Sequence, residues 1–89
     1  MLSVQITPRR KKYVSFIEDT IPNKGGFFCK VYDDPNGEFE SDCFTIHNYE
    51  VKNTETKTDK LKLAYKIATN KVKTMYQKEV SKYMYRWII

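Results

Sequence analysis

Beyond Gly37 the chain contains neither glycine nor proline as far as its last residue, Ile89. A stretch of that length without a helix breaker admits one long helix, and the hydrophobic period decides whether it forms. From about Thr56, the residues Leu61, Ala64, Tyr65, Ala68, Val72, Met75, Tyr76, Tyr83 and Trp87 recur at steps of three and four. That spacing lines one side of an α-helix. "NTETKTD", residues 53–59, offers several N-caps ahead of it, so the start is fixed only to within a turn.

Up to and including Gly37 the pattern is different, because every glycine and proline of the chain falls there. Val4 and Ile6 alternate with polar neighbours, "KYVSFIE" (12–18) has strand composition, and "PNKGG" (22–26) is a connecting turn. In Asp34-Pro35-Asn36-Gly37, proline presets the first central position of a type I turn and asparagine suits the second. Gly37 supplies the left-handed residue that leads back into a strand. Strands near 12–18, 26–33 and 38–47 follow, with residues 2–7 able to extend the sheet at an edge. The expected fold is α+β: a three- or four-stranded antiparallel β-meander (1–53) packed against one long C-terminal α-helix (54–89), in a single domain.

A three-residue loop sets Asp34 opposite Glu38. The register then pairs Tyr32 with Glu40, Lys30 with Asp42 and Phe28 with Phe44 on one face. It pairs Val31 with Ser41, Cys29 with Cys43 and Phe27 with Thr45 on the other. An opposite-charge pair and an aromatic pair on one face favour this register, which one further bulge would invert. The cysteines are expected as two reduced, buried thiols, with a cross-strand disulfide as the alternative.

The net charge of +5 conceals an uneven distribution. Residues 1–53 carry seven Lys/Arg against eight Asp/Glu, and residues 54–89 carry nine against three. Five acids crowd into "KVYDDPNGEFESD" (30–42), while Arg9, Arg10, Lys11 and Lys12 form a basic knot. The molecule is therefore electrically two-ended. On the helix, Lys62, Lys66 and Lys73 border one margin of the apolar stripe, and Lys60, Lys71, Lys78 and Lys82 border the other. Lysines so placed commonly lay their stems on the core edge and keep their charges wet.

A helix over 60–88 would run about 44 Å, whereas strands of six or seven residues span about 20–23 Å. The last turns therefore overhang the sheet or fold back. There Val80, Tyr83, Met84, Tyr85, Trp87, Ile88 and Ile89 point in nearly every direction. Tyr83, Met84, Trp87 and Ile88 are accordingly expected to contact a second chain or a partner, a homodimer being one form of this.

No constellation for catalysis is present, and no enzyme activity, cofactor or metal is expected. His47 is the only histidine; with Cys29 and Cys43 it lacks a fourth ligand and the close spacing of a zinc site. Taking Asp34 as the first ligand of an EF-hand loop puts Gly37 at the fourth position rather than the sixth. No run of about 18 apolar residues spans a membrane. "MLSVQITPRRKK" lacks the apolar run of a secretory signal, so the expected location is the interior of a cell, the cytoplasm of a host.

Binding remains, in two forms. In the first, the hairpin is the working surface: Phe28, Tyr32, Asp33, Asp34, Glu38, Glu40, Asp42 and Phe44 make an acid-rimmed aromatic patch. Its complement is the basic groove of a protein that handles nucleic acid. In the second, Arg9, Arg10, Lys11 and Lys12 act as a mobile arm and Lys62, Lys66 and Lys73 contact phosphates. Lysine outnumbers arginine thirteen to three, so such binding would be weakly sequence-specific and strongly salt-dependent.

In layout alone, a three-stranded sheet backed by a C-terminal helix is similar to the arm-binding domains of phage integrases. Those domains read DNA with the sheet, and the acidic hairpin here would repel a duplex. The Lys-, Asn-, Tyr- and Ile-rich composition resembles that of early proteins of bacteriophages of AT-rich hosts. Many of these inhibit host enzymes or defence systems, CRISPR nucleases among them, by binding. The expectation is an inhibitor or modulator of that anti-CRISPR-like or host-takeover kind, acting on a protein partner.

Overall fold

Alternation with period two builds the first half of the molecule into strands. The computed structural model describes residues 1–19 and 24–88, with side chains as far as residue 77. Strands β1 (Leu2–Thr7), β2 (Arg10–Asp19), β3 (Gly26–Tyr32) and β4 (Glu40–Ile46) form one antiparallel sheet in the order β1-β2-β3-β4. A single turn of helix, α1 (Asn48–Val51), then leads to α2 (Lys57–Ile88). This is the expected α+β meander, with the edge strand β1 included.

One face of the sheet is dry. Val4 and Ile6 of β1, Val14 of β2, Phe27, Cys29 and Val31 of β3, and Ile46 of β4 are buried there. Phe16 and Phe44 pack against this cluster. The facing side of α2 presents Ala64, Ala68, Val72 and Tyr76, spaced four apart and buried. The two alanines let the helix backbone approach the sheet closely, while Val72 and Tyr76 fill the space nearer the β3–β4 hairpin. Burying each of the larger aliphatic side chains is worth about 1.5–3 kcal/mol relative to exposure.

The other face has no layer over it among the described residues. It carries Tyr13, Ser15 and Ile17 from β2 against Tyr32, Lys30 and Phe28 from β3, with Cys43 and Thr45 beyond them on β4.

The β3–β4 register corrects the sequence expectation. Tyr32 does pair with Glu40, but a bulge follows, so that Val31 pairs with Asp42, Lys30 with Cys43, Cys29 with Phe44 and Phe28 with Thr45. Ser41 is the additional residue. Its hydroxyl donates to the Val31 carbonyl at 3.3 Å and lies 3.0 Å from the Tyr76 hydroxyl. Ser41 thus turns its hydroxyl toward Tyr76 of the helix while remaining exposed, and the bulge shifts the phase of the strand beyond it.

The expected Phe28–Phe44, Lys30–Asp42 and Cys29–Cys43 pairs therefore do not form. Both cysteines are free, but only Cys29 is buried; Cys43 is exposed on the open face. Burial raises the Cys29 thiol pKa to about 12, against a smaller opposing pull from the charge of Lys71.

Between Ile46 and α2, His47 and Glu50 shape the connection. The Glu50 carboxylate accepts the His47 backbone N–H at 2.8 Å, tying off the first turn of α1. Thr56 does the same for α2, its hydroxyl accepting the Asp59 N–H at 3.1 Å.

Candidate partner-binding hairpin

The loop between β3 and β4 is built around Asp34. Its carboxylate accepts the backbone N–H groups of Glu38, at 3.0 Å, and Phe39, at 2.9 Å. The Asp33 N–H donates to the Phe39 carbonyl at 2.9 Å and closes the loop, and Gly37 takes the left-handed conformation at φ +73°. Desolvation raises the Asp34 pKa, but the N–H donors of Glu38, Phe39, Asn36 and Asp34 itself outweigh it. The carboxyl consequently titrates below its ordinary value. Asp34 is therefore a structural acid whose charge faces its own backbone.

Asp33 is also committed. Its carboxylate pairs with the Lys12 ammonium, which is 2 % exposed and also donates to Ser41 Oγ at 3.3 Å. The same ammonium lies 4.3 Å from the centre of the Tyr76 ring. A buried cation is tolerable only with such partners. The pair fastens the base of the hairpin to β2, beneath the Tyr76 ring of α2.

Glu38, Glu40 and Asp42 remain as the outward acids. All three are exposed, and none forms an ion pair among the described residues. Between the first two stands Phe39, 65 % exposed, its backbone fixed on both sides by Asp34 and Asp33. Sequence reasoning passed over Phe39 because regular alternation counted it as one more strand residue. The available signal was its place between two acids directly after a turn, where a large apolar side chain has no core to enter.

The bulge divides the rest of the expected patch. Phe28 and Tyr32 lie on the open face, Tyr32 between Tyr13 and Glu40. Phe44 lies on the helix side, packed on the core beneath Lys71, whose ammonium is 5.7 Å from its ring centre. Asp33, Asp34, Glu38 and Glu40 stay together at the hairpin, while Asp42, opposite Val31, falls on the helix side of the edge strand; Phe28 and Phe44 do not share a surface.

The basic groups separate in the same way. Residues 9–12 are not a mobile arm. Arg9 lies in the β1–β2 turn, and β2 holds the other three. Arg9 and Lys11 are exposed. The Arg10 guanidinium lies 5.6 Å from the Tyr76 ring centre, and Lys12 is interior.

On α2, Lys62 and Lys66 are exposed and Lys73 is half-buried. Lys60 and Lys71 lie over the Phe27 and Phe44 rings, and Lys71 donates to the Thr45 carbonyl at 3.3 Å, with Glu50 3.8 Å away. Those two follow the expectation of stems laid on the core edge. The side chains of Lys78, Lys82, Tyr83, Met84, Trp87 and Ile88 lie outside the described residues, and so does the contact expected of the last four.

Exposed His47 stacks on the Tyr49 ring, with centres 5.4 Å apart. Among the described residues no group of three or more His, Cys, Asp or Glu is placed to hold a metal ion, and no helix is long and apolar enough to cross a membrane.

Comparison with known proteins finds no matching family, no similar curated protein and no similar solved structure.

Proposed function

We propose that this protein acts by stoichiometric, non-enzymatic binding, docking its β3–β4 hairpin on a basic surface of another protein. The observation that carries this reading is Phe39: a large apolar side chain, 65 % exposed, on a backbone fixed by Asp34 and flanked by Glu38 and Glu40. An aromatic anchor on a preorganised loop loses little conformational entropy on binding. Acids around it provide a field that steers it toward a cationic surface.

Such surfaces are characteristic of proteins that handle nucleic acid, and a partner of that class makes this chain an inhibitor or modulator of the phage type. With Asp33 and Asp34 engaged internally, the contact set is Phe39 with Glu38 and Glu40, and Asp42 adds its charge from the helix side of the strand edge. Tyr32 stands at its border.

The test is recovery of partners from host lysate by the wild-type protein, by Phe39→Ala, and by a variant with Glu38, Glu40 and Asp42 changed to lysine. Circular dichroism establishes that each is folded. A partner retained by the wild type and lost by both variants is the expected result. Equal recovery by all three overturns the proposal.

A further inference from the structure

The β1–β2 turn borders an open depression of about 600 Å³ that the hairpin reading leaves unused. Its walls include Arg9, Arg10 and Lys11, the Tyr13 ring, Gln5 and Asp33. The Arg10 guanidinium is turned to the Tyr76 ring, so Arg9 and Lys11 meet one carboxylate there, and that carboxylate is held by the Lys12 ammonium. The depression therefore favours an anion. Tyr13 is half-buried on the open face, supported by its cross-strand neighbours Ser3 and Tyr32.

The Gln5 amide donates to the carbonyls of Thr7 and, at 3.4 Å, Arg10. This leaves its Oε1 as an acceptor without a partner among the described residues. Cations, a flat ring and a single acceptor within one volume match a ligand with a phosphate, a planar base and an exocyclic amine. The volume is in the range of small-molecule sites, about 300–1,000 Å³.

We infer that the depression binds a nucleoside phosphate, free or as one unit of a single strand. Arg9 and Lys11 meet the phosphate and Tyr13 stacks on the base. This does not rest on the role of the hairpin. It also differs from a contact through a flexible arm or through the α2 lysines. A duplex hides its bases from the Tyr13 ring, so a single strand is favoured over it.

The experiment is fluorescence anisotropy with a labelled short oligo-dA and oligo-A at low salt, with AMP, inorganic phosphate and a duplex as competitors. Binding should disappear in an Arg9→Glu, Lys11→Glu double variant and weaken about tenfold in Tyr13→Leu, the loss of one stacked base. A Lys62→Glu, Lys66→Glu variant of α2 should stay within about twofold of wild type, those lysines lying outside the site.

Displacement by AMP assigns the site to single nucleotides, and displacement by oligonucleotide alone assigns it to strands. Either result upholds the inference. It is overturned by absence of binding at low salt, by equal loss in the α2 variant, or by an unaffected Tyr13→Leu. Competition by phosphate equal to that by AMP, or by duplex equal to that by single strand, also overturns it.

Discussion

The Lys12 ammonium, almost wholly enclosed between sheet and helix, is paired with the Asp33 carboxylate at the base of the hairpin. The two residues differ in exposure, 2 % against 56 %, so losing one is not equivalent to losing the other. Asp33→Ala leaves an interior cation with only Ser41 and the Tyr76 ring, and should destabilise the fold by about 1–3 kcal/mol. Lys12→Met fills the space of the stem and leaves the carboxylate to water, so it should cost less. Urea denaturation of the two variants gives the order, and a Lys12→Met loss larger than that of Asp33→Ala contradicts it.

Asp34 links the shape of the hairpin to acidity. Its folded pKa lies below the unfolded value, so the carboxylate adds stability that is present above the ordinary carboxylate pKa of about 3.9 and lost as pH falls through the folded value. Asp34→Asn should therefore flatten the acid side of the stability profile while leaving its neutral side parallel to wild type. Thermal melts across pH 2.5–7 measure this, and identical acid slopes count against it.

The two glycines with positive φ should respond differently to alanine. At Gly37, φ +73°, a Cβ would meet Met1 Cε at 3.4 Å and Tyr32 Cζ at 3.7 Å, which is ordinary contact. Only the conformational penalty applies there, about 1–2 kcal/mol. At Gly25, φ +90°, it would lie 2.7 Å from Asn48 Oδ1 and 3.0 Å from Lys60 Nζ, so steric conflict adds to the strain. Gly25→Ala should be the more destabilising in denaturant titrations.

The thiols should react in two phases. Cys43 is exposed, whereas Cys29 is buried with its pKa raised to about 12. Near pH 8 a thiol reagent should modify one cysteine rapidly in the native protein and the second only on unfolding. Cys43→Ser should remove the fast phase alone, and two fast equivalents in native protein would exclude the arrangement.

Much of the architecture was legible because it depends on local pattern. The step of three and four from Leu61 to Tyr76 gave the helix, and Asp34-Pro35-Asn36-Gly37 gave the hairpin with its left-handed glycine. The phase of β4 was not legible, because the bulge at Ser41 is met by a hydroxyl on Tyr76, 35 residues away. Lys12 reads as one more member of a basic run until the fold places Asp33 and Tyr76 around it. At the candidate site the acids were identifiable as a group. Their division into structural Asp33 and Asp34 and outward Glu38, Glu40 and Asp42 required the backbone that two of them organise. Phe39 was hidden by the assumption that alternation continues through a turn.

One serine more than its neighbour strand can match is set aside by the bulge, leaving Asp42 opposite Val31 and Phe44 opposite Cys29. A lineage that lost that single codon would keep those pairs, passing from Glu40 directly to Asp42 with no later side chain changing face. The reading length between Tyr32 and Ile46 can thus shrink by one, whereas one residue gained there would call for a second bulge or turn Phe44 and Ile46 into water.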